Sequence, residues 1–168
     1  MPALPILEYP DPRLRATAEP VTRFDEDLES FVEDLKMTLY ETEGIGLAGP
    51  QTGDCRRILV MDLSRERDMP EVFINPEIIR RDVPGLVEES CLSVPGVVQN
   101  VIRHTQVRVR AVDAQGEAFE RELSDMHAVC LQHEIDHLDG MLFIDRLSLL
   151  KRWKVKRALA RQPVSAVS

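Results

Sequence analysis

The five residues His133-Glu134-Ile135-Asp136-His137 constrain this chain more than any other feature. On a helix, the pattern His-Glu-x-x-His places two imidazoles one turn apart on the same face, close enough to hold one metal ion. The intervening glutamate then lies beside the open metal position, where it can take a proton from bound water. Ser124 or Asp125 is the candidate N-cap, and Gly140 stands where the helix should end. The sequence therefore predicts a helix that carries a hydrolytic metal site.

A site of this kind usually has three protein ligands and one water, so a third ligand is needed. No glutamate follows Glu134, and Asp139 and Asp145 are the only acids after the five-residue motif. Phe143 stands where a longer zinc-peptidase pattern has a third histidine. We therefore expect the third ligand to come from upstream. The candidates are Cys55, Cys91, Cys130, His104 and His127.

The surroundings of the cysteines favour Cys91 among these candidates. It lies in the apolar segment 88–96, which ends at a Pro-Gly turn signal. Thiolate and imidazole ligands together suit both zinc and ferrous iron. Cys130 precedes the centre of the histidine pair by five residues, roughly 7.5 Å at the helical rise, which a short side chain spans poorly. Cys55 is expected in a surface turn, and a buried free thiol is the alternative interpretation of Cys91.

Three segments together resemble the peptide deformylase family. They are Gly44-Ile45-Gly46-Leu47-Ala48-Gly49-Pro50-Gln51, Glu89-Ser90-Cys91-Leu92-Ser93 and His133-Glu134-Ile135-Asp136-His137, and the similarity runs from Leu7 to about Leu150. The resemblance implies that Cys91, His133 and His137 bind one divalent metal ion, Fe²⁺ in the cell, with Zn²⁺, Ni²⁺ or Co²⁺ as substitutes. It also implies an enzyme that removes the formyl group from the initiator formyl-Met of nascent polypeptides and releases formate.

The resemblance further implies roles for single residues. Glu134 is the expected general acid and base, while Gln51 and the backbone N–H of Leu92 would hold the substrate oxygen. The residues expected to contact the substrate are Ile45, Gly46, Glu89, Ser90, Met126, Val129 and Cys130. Two alternatives stay open. Gln51 alone is also typical of a turn residue, and Asp136 with Arg103 forms either a pair that steadies the site or a surface ion pair.

Three positions differ from the usual family pattern. Ser90 and Asp125 stand where glycine is common, and Gly49 stands where alanine is common. If position 90 requires a positive φ, serine there costs on the order of 1 kcal/mol. We expect this departure to affect peptide binding and rate, and hardly the metal site.

Periodicity predicts an α+β fold in which short mixed or antiparallel strands pack around a central metal-binding helix. An acidic amphipathic N-terminal helix is expected over 25–42, and a basic C-terminal helix from about residue 148. The predicted strand segments are 58–61, 72–74, 97–98, 101–102, 107–111 and 119–123, the last two joined by a turn at 114–116. The length fits a single domain over 1–168.

Composition limits the environment in which the chain can work. A hydrophobic content of 43% and a charged content of 30% fit a soluble globular protein. No apolar run approaches the roughly 20 residues of a membrane span, and residues 1–5 do not resemble a secretory signal. Three cysteines without disulfide-like spacing point to a reducing compartment. We therefore expect a cytoplasmic monomer without a membrane partner.

The C-terminal stretch differs in charge from the rest of the chain. The net charge of −8 argues against general nucleic-acid binding. Six cations nevertheless fall together, and no acid follows Asp145; they are Lys151, Arg152, Lys154, Lys156, Arg157 and Arg161. A solvated helix face would explain such a cluster. The family resemblance instead implies contact with ribosomal RNA near the exit tunnel.

A second class of function is a catalytically silent relative whose metal is structural and whose surface is a binding module. Glu134 argues against it, because a structural site needs no carboxylate beside its ligands. A structural tetrahedron would also need a fourth protein ligand, and the sequence offers no good candidate for one. The enzyme is therefore the favoured interpretation.

Overall fold

A computed structural model describes residues 3–161, and the remainder of the predicted domain 1–168 lies outside these described residues. The described chain contains helices α1 (Glu26–Tyr40), α2 (Asp125–Leu138) and α3 (Leu149–Ala160). Its strands are β1 (Gly46–Ala48), β2 (Ile58–Met61), β3 (Glu71–Cys91), β4 (Val94–Val112) and β5 (Ala118–Ser124). Short 3-10 helices span Pro12–Arg15, Gly49–Thr52 and Phe143–Arg146.

The five strands form one sheet in the order β1-β2-β3-β4-β5, and every pair of neighbours is antiparallel. The predicted α+β class is confirmed. The central strands are longer than the predicted segments, since 72–74 begins the 21-residue β3, and the segments from 97 to 111 all belong to the 19-residue β4. Register shifts interrupt the β3–β4 ladder at three places. Such bulges break the two-residue alternation, so one long strand gives the sequence pattern of several short ones.

Helix α1 confirms the amphipathic helix predicted over 25–42. The side chain of Asp25 caps it by accepting a hydrogen bond from Leu28 N at 3.1 Å. The helix ends at Tyr40, where its last carbonyls need other partners. Arg67 supplies one from a distant loop by donating to Leu39 O at 3.1 Å, and it also donates to Thr42 O, just after the helix, at 3.2 Å. The buried face consists of Leu28, Val32, Leu35, Thr38 and Leu39.

Helix α2 is the centre of the fold, and it packs against β1, β2, β4 and β5. Every residue from 128 to 138 is buried, including the histidine pair. Ser124 is the N-cap, although its side chain makes no capping hydrogen bond. Gly140 follows the helix at a φ of 73°, and Met141 N donates to Asp136 O at 2.8 Å. This is the glycine-terminated end that the sequence predicted.

Helix α3 begins close to the predicted residue, because Ser148 caps it by accepting from Lys151 N at 3.4 Å. Val155 is the residue of this helix that is buried in the described structure, where it joins a small core cluster with Phe143 and Ile144. None of the described helices combines the length and the apolar character needed to cross a membrane.

Candidate metal centre

The end of β3 and the second half of α2 bring Cys91, His133 and His137 together. One potential ligand atom from each lies within 4.8 Å of the others, and Cys91 Sγ is 3.3 Å from His137 Nε2. Sulfur and nitrogen ligands on one tetrahedral zinc ion would be roughly 3.6 Å apart, so these side chains are close to a binding arrangement. The described structure groups no other cysteine with the histidine pair: Cys55 is exposed, and Cys130 is buried outside the cluster.

Burial and hydrogen-bond partners act differently on the two imidazoles. Burial lowers the pKa of His133, but hydrogen bonds with Cys91 and Glu89 raise it well above its ordinary value, so metal binding would release a proton from this ring. Burial alone would raise the pKa of Glu89, but hydrogen bonds from Arg103 and His133 lower it to about 2. Glu89 is therefore a carboxylate that lies 2.7 Å from His133 Nδ1 and leaves Nε2 free to bind metal. Burial lowers the pKa of His137 well below its ordinary value, which favours the neutral ring. The donor set fits one soft or borderline divalent ion.

Phe143 occupies the position at which the longer zinc-peptidase pattern has its third histidine. Phe143 stacks on the His133 ring, with centroids 6.0 Å apart and an interplanar angle of 27°. The phenyl ring thus forms an apolar wall behind His133, a candidate metal ligand.

Glu134 lies beside these donors but is not one of them. Its Oε2 atom is buried and has no hydrogen-bond partner among the described residues. Burial raises the pKa of Glu134 to about 7. A buried carboxylate oxygen without a partner is rare in native proteins, and here it marks a group free to bond water or substrate.

Gly46 allows β1 to approach α2 closely. A Cβ atom at this position would lie 2.7 Å from Cys130 Sγ and 2.9 Å from Glu134 Oε1. Any larger residue would displace the Cys130 thiol, the Glu134 carboxylate or the strand, so packing at position 46 favours glycine.

An open cavity of about 590 Å³ lies above the centre. Every residue predicted for catalysis or substrate contact lines it: Ile45, Gly46, Gln51, Glu89, Ser90, Leu92, Met126, Val129, Cys130 and Glu134. Of the proposed ligands, Cys91 and His133 also line it, while His137 lies deeper. The sequence analysis missed Glu43, Gly44, Glu88, Val94, Pro95, Gly96, Val97 and Val98. The turn predicted at Pro95-Gly96 is wrong, because both residues belong to β4 and the chain turns at 92–93 instead. The start of β4 therefore folds back beside the end of β3.

Gln51 makes the local turn contact and also lies beside the ligand cluster. Its Oε1 accepts from Ala48 N at 2.9 Å, which is the local turn contact. Its Nε2 donates to Ser93 Oγ at 3.1 Å and lies 3.9 Å from Cys91 Sγ. The local bond therefore fixes the amide so that its donor side faces the centre.

Arg103 is buried, with 2% of its surface exposed, so the surface ion pair considered for it is wrong. Its Nε and Nη2 donate to the two oxygens of Glu89 at 2.6 and 2.9 Å, and its Nη1 donates to Asp136 Oδ2 at 2.7 Å. Since Glu89 also bonds His133, both of its carboxylate oxygens have partners within the fold. Any contact of Glu89 with substrate is left to its backbone.

The three departures from the family pattern have different structural consequences. Ser90 is exposed at the cavity and is not among the positive-φ residues of the described chain, so no backbone cost arises. Asp125 has a φ of 52°, a conformation that favours glycine. Gly49 suits this chain, because a Cβ there would lie 2.9 Å from Arg56 O.

Three sulfur and nitrogen donors lie together at the base of an open cavity, beside a carboxylate with an unpaired oxygen. This arrangement is typical of a metallohydrolase. The comparisons with known proteins narrow this class. The chain belongs to the polypeptide deformylase family, whose sequence model matches residues 3–153.

Individual relatives are similar over nearly the whole chain. A peptide deformylase of Chromobacterium violaceum is 47% identical over 162 residues, which cover 96% of this chain and 97% of that protein. The crystal structure of a peptide deformylase from Legionella pneumophila superposes with a TM-score of 0.89 at 43% identity, covering 96% of this chain and 100% of that one. A Synechococcus elongatus peptide deformylase in complex with actinonin gives a TM-score of 0.88 at 36% identity, over 98% of this chain and 94% of that one.

Proposed function

We propose that this chain is a peptide deformylase: a metal-dependent hydrolase that removes the N-formyl group from the initiator formyl-Met of nascent polypeptides and releases formate. One observation carries the proposal. Glu134 presents a buried carboxylate oxygen without a partner in the described structure, next to the Cys91-His133-His137 cluster and inside an open cavity. Membership in the family supports the same reaction.

Cys91, His133 and His137 would hold one divalent ion, which when bound acts as a Lewis acid and makes hydroxide available at neutral pH. We propose Fe²⁺ as the native ion, with Zn²⁺, Ni²⁺ and Co²⁺ as substitutes. A thiolate and two neutral imidazoles are compatible with each of these ions, so the choice among them needs a measurement.

Glu134 would move the protons of the reaction. Its free Oε2 accepts a proton from the attacking water and returns it to the leaving amine, because an unprotonated amide nitrogen leaves poorly. The Gln51 amide and the backbone N–H of Leu92 would donate to the oxyanion that forms on the formyl group. Loss of one such donor typically lowers the rate by ~10²–10³.

The cavity walls would hold the peptide. Ile45, Met126, Val129 and Cys130 offer apolar surface to the methionine side chain. Gly46 and Ser90 lie on strands that face the cavity from two sides, and their backbone groups would pair with the peptide backbone. Glu89 would contribute through its backbone as well.

The test is formate release from a formyl-Met-Ala-Ser peptide by protein that is purified anaerobically and loaded with Fe²⁺. The matched control is the acetyl-Met-Ala-Ser peptide, which has the same side chains but no formyl group. Formate release from the first peptide alone supports the enzyme. Tight binding of the formyl peptide without formate release would instead identify the silent binding module.

We also propose that α3 contacts ribosomal RNA. Lys151, Lys154 and Arg157 are exposed on this helix together with Leu149 and Trp153, which gives a basic surface with apolar patches. Contacts with phosphates should weaken steeply as salt rises.

Ribosome co-sedimentation tests this contact with the triple variant Lys151→Glu/Lys154→Glu/Arg157→Glu. Arg65→Glu/Arg80→Glu/Arg81→Glu is the matched control, because it makes the same charge change at exposed positions elsewhere. We expect the first variant alone to lose salt-sensitive co-sedimentation while it keeps activity on short peptides. Equal co-sedimentation of both variants would contradict the proposal.

Three further proposals concern the state of the protein. Three free thiols support a reducing compartment such as the cytoplasm. We also keep the single domain over 1–168 and the monomer as proposals. Light scattering of the full chain would test the monomer.

A further inference from the structure

Arg146 is connected to His133 by a continuous chain of charged side chains. From the 3-10 helix Phe143–Arg146, its Nε and Nη2 donate to Asp136 Oδ2 and Oδ1, both at 2.7 Å. Arg103 Nη1 donates to the same Oδ2 at 2.7 Å, and the rest of its guanidinium holds Glu89. Glu89 Oε1 then lies 2.7 Å from His133 Nδ1.

The charges of these connected side chains balance, and most of the side chains are buried. Two guanidinium groups face two carboxylates, and the side chains of Arg103, Glu89 and Asp136 are 1%, 5% and 8% exposed. Arg146 is the member that reaches the surface, with 38% of its side chain exposed. Removal of one charge from such a buried set leaves another without a partner, which is costly at low dielectric.

We propose that Arg146 is a positioning residue for the metal centre. By occupying both oxygens of Asp136, it holds Asp136 against Arg103. Arg103 in turn holds Glu89, and Glu89 fixes the ring orientation and tautomer of His133. This inference rests on the proposed ligand set, because it concerns how firmly His133 is held for the metal.

Without Arg146, Asp136 Oδ1 loses its hydrogen bond and Oδ2 keeps only Arg103. The Asp136 carboxylate is then free to turn toward solvent. Arg103, which bonds both Asp136 and Glu89, would shift with Asp136 or with Glu89, and its hold on Glu89 would change. Outer partners of metal-binding histidines typically change metal affinity 10–100-fold when they are removed. Arg146 should therefore influence the metal although it does not touch a ligand.

A purely structural role would have a different outcome. In that case Arg146 only fastens the Phe143–Arg146 turn to α2, so its loss lowers the unfolding temperature and leaves the metal unchanged. Metal affinity and the ligand spectrum separate the two roles, because a fastening contact alters neither.

The experiment uses full-length protein loaded with Co²⁺, whose absorption reports a thiolate ligand and the geometry of the site. The variants are Arg146→Ala, Arg146→Lys and Arg108→Ala. Arg108 is the matched control: it donates from Nε and Nη2 to Glu120 at 3.0 and 2.9 Å, is 41% exposed, and lies in an ion-pair cluster of β4 and β5. Co²⁺ dissociation constants are measured by competition with a chelator.

We expect Arg146→Ala to weaken Co²⁺ binding about 10–100-fold and to shift the Co²⁺ bands. Arg146→Lys should give a smaller effect, and Arg108→Ala a change of less than about twofold, as for a surface ion pair. In a Glu89→Gln background, Arg146→Ala should add little, because the link to His133 is already weakened.

Unchanged affinity and spectrum in Arg146→Ala would overturn the inference, as would an equal effect of Arg108→Ala or full additivity with Glu89→Gln. Failure of the proposed ligand set looks different. The wild type would then lack the thiolate-to-Co²⁺ band, or the band would survive Cys91→Ser.

Discussion

Helices α2 and α3 have similar lengths, 14 and 12 residues. Both depart from the usual distribution of side chains, since α2 buries polar groups and α3 exposes apolar ones. Helix α2 buries five polar residues, Gln132, His133, Glu134, Asp136 and His137. Helix α3 exposes large apolar side chains, with Leu149 at 81% and Trp153 at 55% exposed. A buried polar group and an exposed apolar patch are both informative exceptions. Together they support the two proposals for this chain, chemistry at α2 and a contact surface at α3.

The buried polar residues of α2 are also not equivalent to each other. Gln132 donates to His104 O at 2.6 Å and Ala128 O at 2.8 Å, and Asp136 is held by two arginines. Hydrogen bonds within the fold offset the free-energy cost of burying these groups. Glu134 Oε2 lacks such a partner in the described structure, and so does His137 Nδ1, the ring nitrogen on the side away from Cys91. The difference separates groups that hold the site from the Glu134 oxygen that is left for its chemistry.

The largest effect should come from Cys91, the one proposed metal ligand that lies on β3 and not on α2. Cys91→Ser should weaken metal binding by more than about 100-fold and abolish formate release, because serine resists deprotonation and is a poor ligand for a soft site. Metal content per chain, measured after desalting, checks this. Cys55→Ser and Cys130→Ser are the controls and should keep their metal; loss of metal from Cys130→Ser alone would show that the ligand assignment is wrong.

Gly46→Ala should separate the chemistry of α2 from its metal. The added Cβ meets Cys130 Sγ and Glu134 Oε1, so we expect kcat/KM to fall by about 100-fold while the metal stays bound. Gly85→Ala is the matched control, since its Cβ would lie 3.2 Å from only Thr105 Cγ2, the end of a side chain. Equal kinetics in the two variants would contradict the steric role of position 46.

Ser90→Gly sharpens the distinction between ligand and cavity wall. Position 90 adjoins Cys91 but lies exposed at the cavity, so we expect KM to change by about two- to tenfold, the value of one hydrogen bond, with metal affinity unchanged. Steady-state kinetics and metal titration on the same preparation measure both. A large change in metal affinity without a kinetic change would contradict this account.

The smallest effect concerns the start of α2. Because Asp125 has a φ of 52°, Asp125→Gly should be more stable than Asp125→Ala by about 1 kcal/mol in chemical denaturation. At the exposed Glu33 of α1, the usual helix preference should return, with alanine about 1 kcal/mol better than glycine. The same order at both positions would show that Asp125 is not strained.

The two helices also show what the sequence could predict. Their ends follow from local signals, Gly140 after α2 and Ser148 before α3, and the histidine spacing places both rings on one face. The long strands were missed because bulges break their alternation. The series of hydrogen bonds from Arg146 to His133 joins residues up to 44 positions apart in sequence. No local sequence pattern encodes such contacts. The sequence predicted Arg103 only as the partner of Asp136, with two interpretations of that pair left open, and it predicted no role for Arg146.

The most direct test of the central claim is Glu134→Ala, measured for metal content and formate release on the same anaerobic preparation. The account predicts wild-type metal content, since Glu134 is not a ligand, and formate release that is lower by ~10²–10⁴, the typical contribution of a general acid or base. Near-normal turnover with metal bound would contradict the role of Glu134 as the proton carrier of the site.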